Sequence, residues 1–253
     1  VSGSPAFWFN TFTDNPQLSG GNDATAPNWM QRVAVFIIYS GMNAGARDGE
    51  IAVLWLKAFG AHAVAVPGPA SEEAYKPFTN PRKFDGLLPV LWRDGDDTIY
   101  AVPQRSTSLA RVIAASAVVS RAPAHGVDIE PIVPYVAALD DASLPPAEFR
   151  WRNRHSAVLR ARIEPGQVIC VQTTYHPGWR ATVNGAPQAV SGDKLGLLVI
   201  RPECTGDCEI ELAFDGGAEL LAMRALSAIA VLGAAVWLFA YRKRLRSSAT
   251  SRT

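Results

Sequence analysis

The feature that most constrains this chain is an uncharged apolar run near its C-terminal end. Residues 225–241 read ALSAIAVLGAAVWLFAY. Together with Leu220 to Arg224 they give about 20 residues, the length that a helix needs to cross the hydrocarbon core of a bilayer. Trp237 and Tyr241 near its end are typical interfacial anchors, and Arg224 can extend toward the headgroups. We therefore expect residues 220–241 to form a transmembrane helix.

A basic cluster directly after the run predicts its orientation. Residues 242–246 read RKRLR, and positive residues flanking a span favour the cytoplasmic side. This places the tail, 242–253, in the cytoplasm and the long soluble part on the extracytoplasmic side. A buried alanine-rich helix followed by a disordered tail is the alternative, but all faces of the run are apolar. Since residues 1–5 resemble no signal sequence, we expect a longer protein with upstream transmembrane helices.

Composition and charge argue against several function classes. The 253 residues carry 24 Lys and Arg against 23 Asp and Glu, a net charge of +1. A nucleic-acid-binding protein normally concentrates basic residues on one face, so we expect no nucleic-acid partner. The sequence contains no P-loop, nucleophile elbow, zinc-protease helix or dinucleotide fingerprint. Its four histidines are isolated, so it predicts no metal site, no cofactor and no catalytic residue.

Residues 149–216 have the pattern of short antiparallel strands. The turn signals Pro165-Gly166, Pro177-Gly178 and Asn184-Gly185 punctuate this segment. Regularly spaced short strands predict a small antiparallel β-sandwich or a jelly roll. The predicted strands are Ala157–Ile163, Val168–Thr174, Trp179–Val183, Ala186–Val190, Leu195–Ile200 and Glu209–Phe214.

Residues 1–121 predict a different architecture, an α/β domain. Residues 122–148 contain five prolines and are interpreted as the connection between the two domains. The fold class expected for the whole chain is thus α+β, with an N-terminal α/β domain, a small antiparallel β-sandwich and one C-terminal transmembrane helix. The elements predicted in the first domain are helices at Asn28–Met42 and Asp48–Phe59, a strand at His62–Val66, and a hairpin of Leu87–Trp92 with Thr98–Val102.

The three cysteines leave more than one pairing open. Cys204 and Cys208 flank Gly206 and are spaced to close a small disulfide loop in an oxidising compartment. Cys170 lies in the middle of a predicted strand, where a buried free thiol is the simplest interpretation. A pairing of Cys170 with one of the other two is the alternative.

Two segments carry candidate binding residues. In the first, Tyr175, His176, Trp179 and Arg180 surround a predicted turn. Aromatic side chains there can stack on sugar rings, and the arginine can pair with a phosphate or carboxylate. The competing interpretation is that Trp179 fills the core of the β domain, in which case the stacking hypothesis loses its principal residue.

The second candidate is a polar, glycine-rich loop that contains Gln17, Asn22 and Asp23. Amide and carboxylate groups of this kind suit a sugar-binding cleft, and they are equally suited to a plain connecting loop. The basic segment Arg150–His155 is interpreted as a solvated strand edge that resists aggregation.

Several strings of the chain together resemble bacterial YfhO-type membrane proteins, multispan proteins related to the GT-C glycosyltransferases. The strings are LWLKAFG at 54–60, LLPVLWR at 87–93, TIY at 98–100, YHPGWRA at 175–181 with Asn184-Gly185, and FDGG at 214–217. The resemblance implies a protein of the bacterial cell membrane that acts on lipid-linked sugars or envelope glycans. Because the catalytic acid of GT-C enzymes lies in an early loop, no catalytic residue carries over.

The sequence therefore supports two functional hypotheses. In the first, the chain is the C-terminal part of an envelope glycosyltransferase-like protein and serves acceptor recognition or structural support. In the second, it is a purely structural or protein-interaction ectodomain. The second predicts buried aromatic side chains and an exposed apolar patch on one face.

Overall fold

A computed structural model describes residues 17–18 and 27–250, with side chains up to residue 239. Four α-helices form within these residues: α1 (Trp29–Ser40), α2 (Asp48–Ala58), α3 (Val133–Asp140) and α4 (Gly217–Thr250). The first begins where sequence chemistry predicts, because the Asn28 side chain accepts hydrogen bonds from the backbone N–H groups of Met30 and Gln31. Helices α1 to α3 pack together as one layer.

A small three-stranded sheet accompanies these helices. It contains β1 (Ala63–Val66), β2 (Val90–Asp94) and β3 (Asp97–Ala101) in the order β1-β3-β2, with both pairs antiparallel. Strand β2 is at the edge, and all five of its residues are exposed.

The larger sheet has eight antiparallel strands in the order β4-β7-β10-β9-β8-β11-β6-β5. Strand β9 changes partner midway: residues 186–188 pair with β8 and residues 189–192 with β10. The sheet curls at this corner until its two edge strands, β4 and β5, contact each other. Its strands are β4 (Ala110–Ala114), β5 (Ala147–Asn153), β6 (Ser156–Ile163), β7 (Gln167–Thr174), β8 (Trp179–Val183), β9 (Ala186–Gly192), β10 (Leu197–Arg201) and β11 (Gly206–Phe214).

Two hydrophobic cores lie on opposite faces of strands β4, β7 and β10. Ile169, Leu198 and their neighbours point into the curled sheet, whereas Val168 and Val199 point toward the helical layer. Because both faces are covered, successive residues of these strands are buried, instead of every second one as in β6. The helical layer and the curled sheet therefore share these three strands as a common wall.

Polar side chains also join the helical layer to the curled sheet. The buried Asn28 donates a hydrogen bond to the Leu195 carbonyl at 2.9 Å. Gln172 on β7 donates to the Lys57 carbonyl, also at 2.9 Å, at the end of α2. Each bond satisfies a backbone group near a helix end or a turn that burial would otherwise leave unpaired.

The structure confirms the coarse fold class and differs in detail. The chain is α+β, with a C-terminal apolar helix, but the small sandwich predicted over 149–216 is not seen. A single curled sheet takes its place and recruits β4 from the segment predicted as the α/β domain. Helix α3 lies inside the predicted connection; Pro134 stands in its first turn, where the missing N–H costs no hydrogen bond. Strand β4 was not among those predicted, whereas the exposed edge strand β5 overlaps Arg150–His155, the segment interpreted as a solvated strand edge.

The C-terminal helix stands apart from both cores. Within the described chain it is the one helix long and apolar enough to cross a membrane, over Gly217–Phe239, and none of that stretch is buried by the rest of the protein. This argues against the alternative of a buried alanine-rich helix. Length and composition agree with the predicted span, and the side of the membrane on which each end lies stays a prediction.

Candidate functional site at the root of the terminal helix

Tyr175, His176, Trp179 and Arg180 lie in and beside the turn between β7 and β8. In the paired strands, Trp179 is opposite Phe214, the last residue of β11, and α4 begins three residues later. The most distinctive motif of the sequence is thus folded against the root of α4, residues 214–217.

Trp179 is a core residue, with 8% of its surface exposed. Its ring packs against Phe214 at 5.2 Å and Trp151 at 6.3 Å between ring centroids. A buried indole does not present its face to a sugar ring, so the stacking hypothesis loses its principal residue. The sequence alone did not decide this point, because tryptophan is common both in β-domain cores and in binding sites.

Gly178 is required by a close approach of two backbones. A Cβ atom at this position would lie 2.7 Å from the Gly217 nitrogen and 3.0 Å from a ring carbon of Phe214. The Gly178 carbonyl accepts a hydrogen bond of 2.9 Å from the Asp215 N–H. The turn therefore holds the chain directly where it leaves the sheet.

His176 and Arg180 complete the attachment. Nδ1 of His176 accepts a hydrogen bond from the Gly178 N–H at 2.9 Å, and the ring packs edge-on against Phe214. Nε of Arg180 lies 3.1 Å from the Asp215 carboxylate, which also accepts the Gly217 N–H at 2.7 Å. Three of the four candidate residues of this motif are thus engaged in fixing the root, and the half-buried Tyr175 packs beside them on the core of the curled sheet.

The second candidate segment is only partly described. Asn22 and Asp23 lie outside the described residues, and Gln17 is half-buried. Its neighbour Leu18 packs on the core of the helical layer, whereas Trp179 belongs to the core of the curled sheet. Whether Gln17, Asn22 and Asp23 form a cleft stays a prediction.

The cysteines are structural. Cys204, in the loop before β11, and Cys208, within β11, form a disulfide whose Cα atoms lie 6.3 Å apart. Cys170 is a free thiol buried in the common wall, and burial raises its pKa well above the ordinary value. A protonated, enclosed thiol is a poor nucleophile.

Two polar residues that sequence reasoning did not single out organise this end of the molecule. Oδ1 of Asp193 accepts hydrogen bonds from the Leu195 and Leu197 N–H groups, each at 2.8 Å, which shapes the loop between β9 and β10. Its Oδ2 is buried without a partner in the described chain, and burial raises the pKa of Asp193 to about 6.

Asn28 reaches the same loop. An asparagine before an apolar helix is a known N-cap signal, but its contact with a loop 167 residues away has no local signature.

Metal-ligand clusters and surface hollows are two further kinds of place where a site can form. No three His, Cys, Asp or Glu side chains there are grouped to hold a metal ion. A shallow hollow of about 460 Å³ lies between residues 69–70 and 79–82, and its one carboxylate, Asp96, already accepts the Ala70 N–H at 2.7 Å. None of the predicted binding residues lines this hollow.

Comparisons with known proteins add no assignment: no family model, no curated protein and no solved structure matches the chain.

Proposed function

We propose that this chain is the membrane-anchored ectodomain of a larger membrane protein, with a structural and protein-interaction role. One observation carries the proposal. The residues with the strongest binding-like pattern, His176 to Arg180, are used to fix the root of an apolar helix. A folded domain attached tightly to a span is suited to supporting or positioning a membrane assembly, and it needs no catalytic group.

An exposed apolar edge supports the interaction part of the proposal. Val90, Leu91 and Trp92 on β2 are 48%, 61% and 49% exposed, and Leu87 just before them is 48% exposed. Edge strands with apolar side chains offer unpaired backbone groups to another chain, and natural proteins usually protect them. An exposed apolar edge of this kind is an expected docking position for a neighbouring protein segment.

Acceptor recognition in a glycosyltransferase-like protein is the alternative proposal, and it rests on the sequence resemblance. It requires a polar surface that binds envelope glycans or lipid-linked sugars. Titration of the full chain in micelles with such glycans separates the two. Saturable binding that Arg180→Ala removes supports acceptor recognition, and its absence supports the structural role.

The anchoring and its sidedness can be tested by cysteine labelling in intact cells. Cys170 is buried and the other two native cysteines are disulfide-bonded, so a newly introduced cysteine is the reactive one. We expect a membrane-impermeant maleimide to label Ser120→Cys, an exposed loop position, and to leave Ser248→Cys unlabelled until the cells are opened.

Labelling of both positions in intact cells would contradict the membrane span. Labelling of Ser248→Cys alone would keep the span and reverse its orientation.

A further inference from the structure

The register of the curled sheet places several turns at the end where α4 begins. Ser156 pairs with Ala213, Trp179 with Phe214, and Leu197 with Thr174. The turns at 153–155, 175–178 and 193–196 therefore lie at the same end of the sheet as the root of α4. Asn28 is bonded to the last of these turns, so the N-terminus of α1 lies at the same end. We refer to these three turns, with the flanking Trp151, Arg180 and residues 28–32, as the root face.

Two tryptophans of the root face are exposed. Trp151, two residues before the 153–155 turn, is 44% exposed although one edge of its ring contacts Phe149. Trp29, the first residue of α1, is 62% exposed. An indole that combines an apolar ring with an N–H donor is favoured at the boundary between a bilayer and water.

The charges of the root face are mainly positive. Arg154 and Lys194 are exposed and make no ion pair with any residue that the structure describes, and Arg32 stacks over the Trp29 ring at 4.8 Å. Of the acids at this end, Asp215 is paired with Arg180. Asp193 accepts backbone N–H groups of its own turn, and Glu219 lies on the first turn of α4. Such a surface attracts anionic lipid headgroups.

The length of α4 brings this surface to the headgroups. Gly217 precedes Arg224 by seven residues, a rise of about 10 Å along the helix axis. The headgroup region on one side of a bilayer is about 5 to 8 Å deep. If Arg224 extends to the edge of the hydrocarbon core, the root face lies at the outer limit of the headgroups. The long side chains of the root face can then reach the headgroups.

We infer that the root face rests on the headgroup layer of an anionic lipid bilayer, with Trp29 and Trp151 as interfacial contacts and Arg154 and Lys194 as phosphate contacts. This inference rests on the proposed membrane anchoring and specifies its lipid partner. The opposite end of the curled sheet offers a contrast. None of the exposed large apolar residues in the described chain lies in its turns at 164–166, 184–185 or 202–205 or within two residues of them.

The test uses the full chain in nanodiscs that contain lipids with nitroxide-labelled headgroups. A fluorophore is attached at Asn153→Cys in the root face or at Glu164→Cys at the opposite end. We expect at least about threefold stronger quenching at Asn153→Cys in discs rich in phosphatidylglycerol than in discs of phosphatidylcholine alone. Arg154→Glu should reduce this quenching about twofold or more, as should 0.5 M salt (roughly a 4 Å screening length).

Arg162→Glu is the matched control, because Arg162 is an exposed strand arginine near the opposite end; we expect it to leave the quenching at Asn153→Cys unchanged. Quenching that responds to neither lipid charge, salt nor Arg154→Glu, in a chain that elutes with the discs, would overturn the lipid contact alone. A chain that elutes apart from the discs would overturn the anchoring as well.

Discussion

At the residue scale, the role of a side chain depends on its neighbours in space, and many of these neighbours are distant in the sequence. Trp179 and Arg180 are adjacent in the chain, yet one is in the core and the other bonds Asp215, 35 positions later. A tryptophan at position 179 was compatible with a place in the core or with a surface that stacks on sugars, and the residue type alone did not decide between the two. Cys170 was simpler, because a thiol in an apolar strand is usually buried.

Asp193 gives a pH prediction at this scale. Its folded pKa of about 6 lies above the ordinary 3.8, so the folded chain binds this proton more tightly than the unfolded chain. Stability from this group is therefore present below about pH 4 and is lost as the pH rises to about 6. Asp193→Asn keeps the Oδ1 acceptor and removes the charge. Relative to wild type, we therefore expect the variant to be about 2 kcal/mol more stable at pH 7.5 than at pH 4.

Urea unfolding of the full chain in mild detergent micelles at the two pH values measures this difference. Asp207→Asn, at an exposed position in β11, serves as the control. If the unfolding free energies of Asp193→Asn and wild type differ by the same amount at both pH values, burial of Asp193 does not raise its pKa.

At the scale of elements, local patterns predicted most helices and strands, and they missed those defined by tertiary context. The alternation in β11 and the turn at Asn184-Gly185 located their strands well. Strand β4, buried on both faces, has no alternation to detect. Helix α3 is eight residues long and lies among prolines, so the segment resembled a linker.

The turn that holds α4 gives a prediction at this scale. In Gly178→Ala the new Cβ meets the Gly217 backbone, and residues 214–217 must move. We expect hydrogen exchange of the amides in 214–220 to accelerate about tenfold or more, and stability to fall by about 1 to 3 kcal/mol. Exchange followed by mass spectrometry checks this.

Gly185→Ala is the matched control, since it strains a left-handed glycine (φ +79°) at the opposite end of the sheet with no atom within 4 Å of the new Cβ. It should leave exchange at 214–220 unchanged. Equal acceleration in the two variants would mean that the close contact at Gly178 does not fix the root.

At the scale of the whole molecule, the helical layer and the curled sheet share one wall and are predicted to unfold together. Asn28 links them, since its side chain caps α1 and bonds the 193–196 loop. We expect Asn28→Ala to lower the unfolding free energy by about 1 to 3 kcal/mol. Two probes, Trp55 in the helical layer and Trp179 in the curled sheet, should report the same shifted urea midpoint.

Asn80→Ala, which removes a hydrogen bond to the Arg82 N–H at an exposed turn, should change stability by no more than about 0.5 kcal/mol. Separate midpoints for the two tryptophans would show that the shared strands do not couple the layers.

The attachment of α4 has a mechanical consequence. A continuous helix of 34 residues is about 50 Å long, and its root is fixed by backbone and side-chain bonds on several sides. Transmembrane helices tilt when bilayer thickness changes. Because α4 is fixed rigidly at its root, the folded domain would turn with the helix. With α4 in the bilayer as proposed, changes in membrane thickness would thus rotate the folded domain and change the direction in which its exposed edge strand faces.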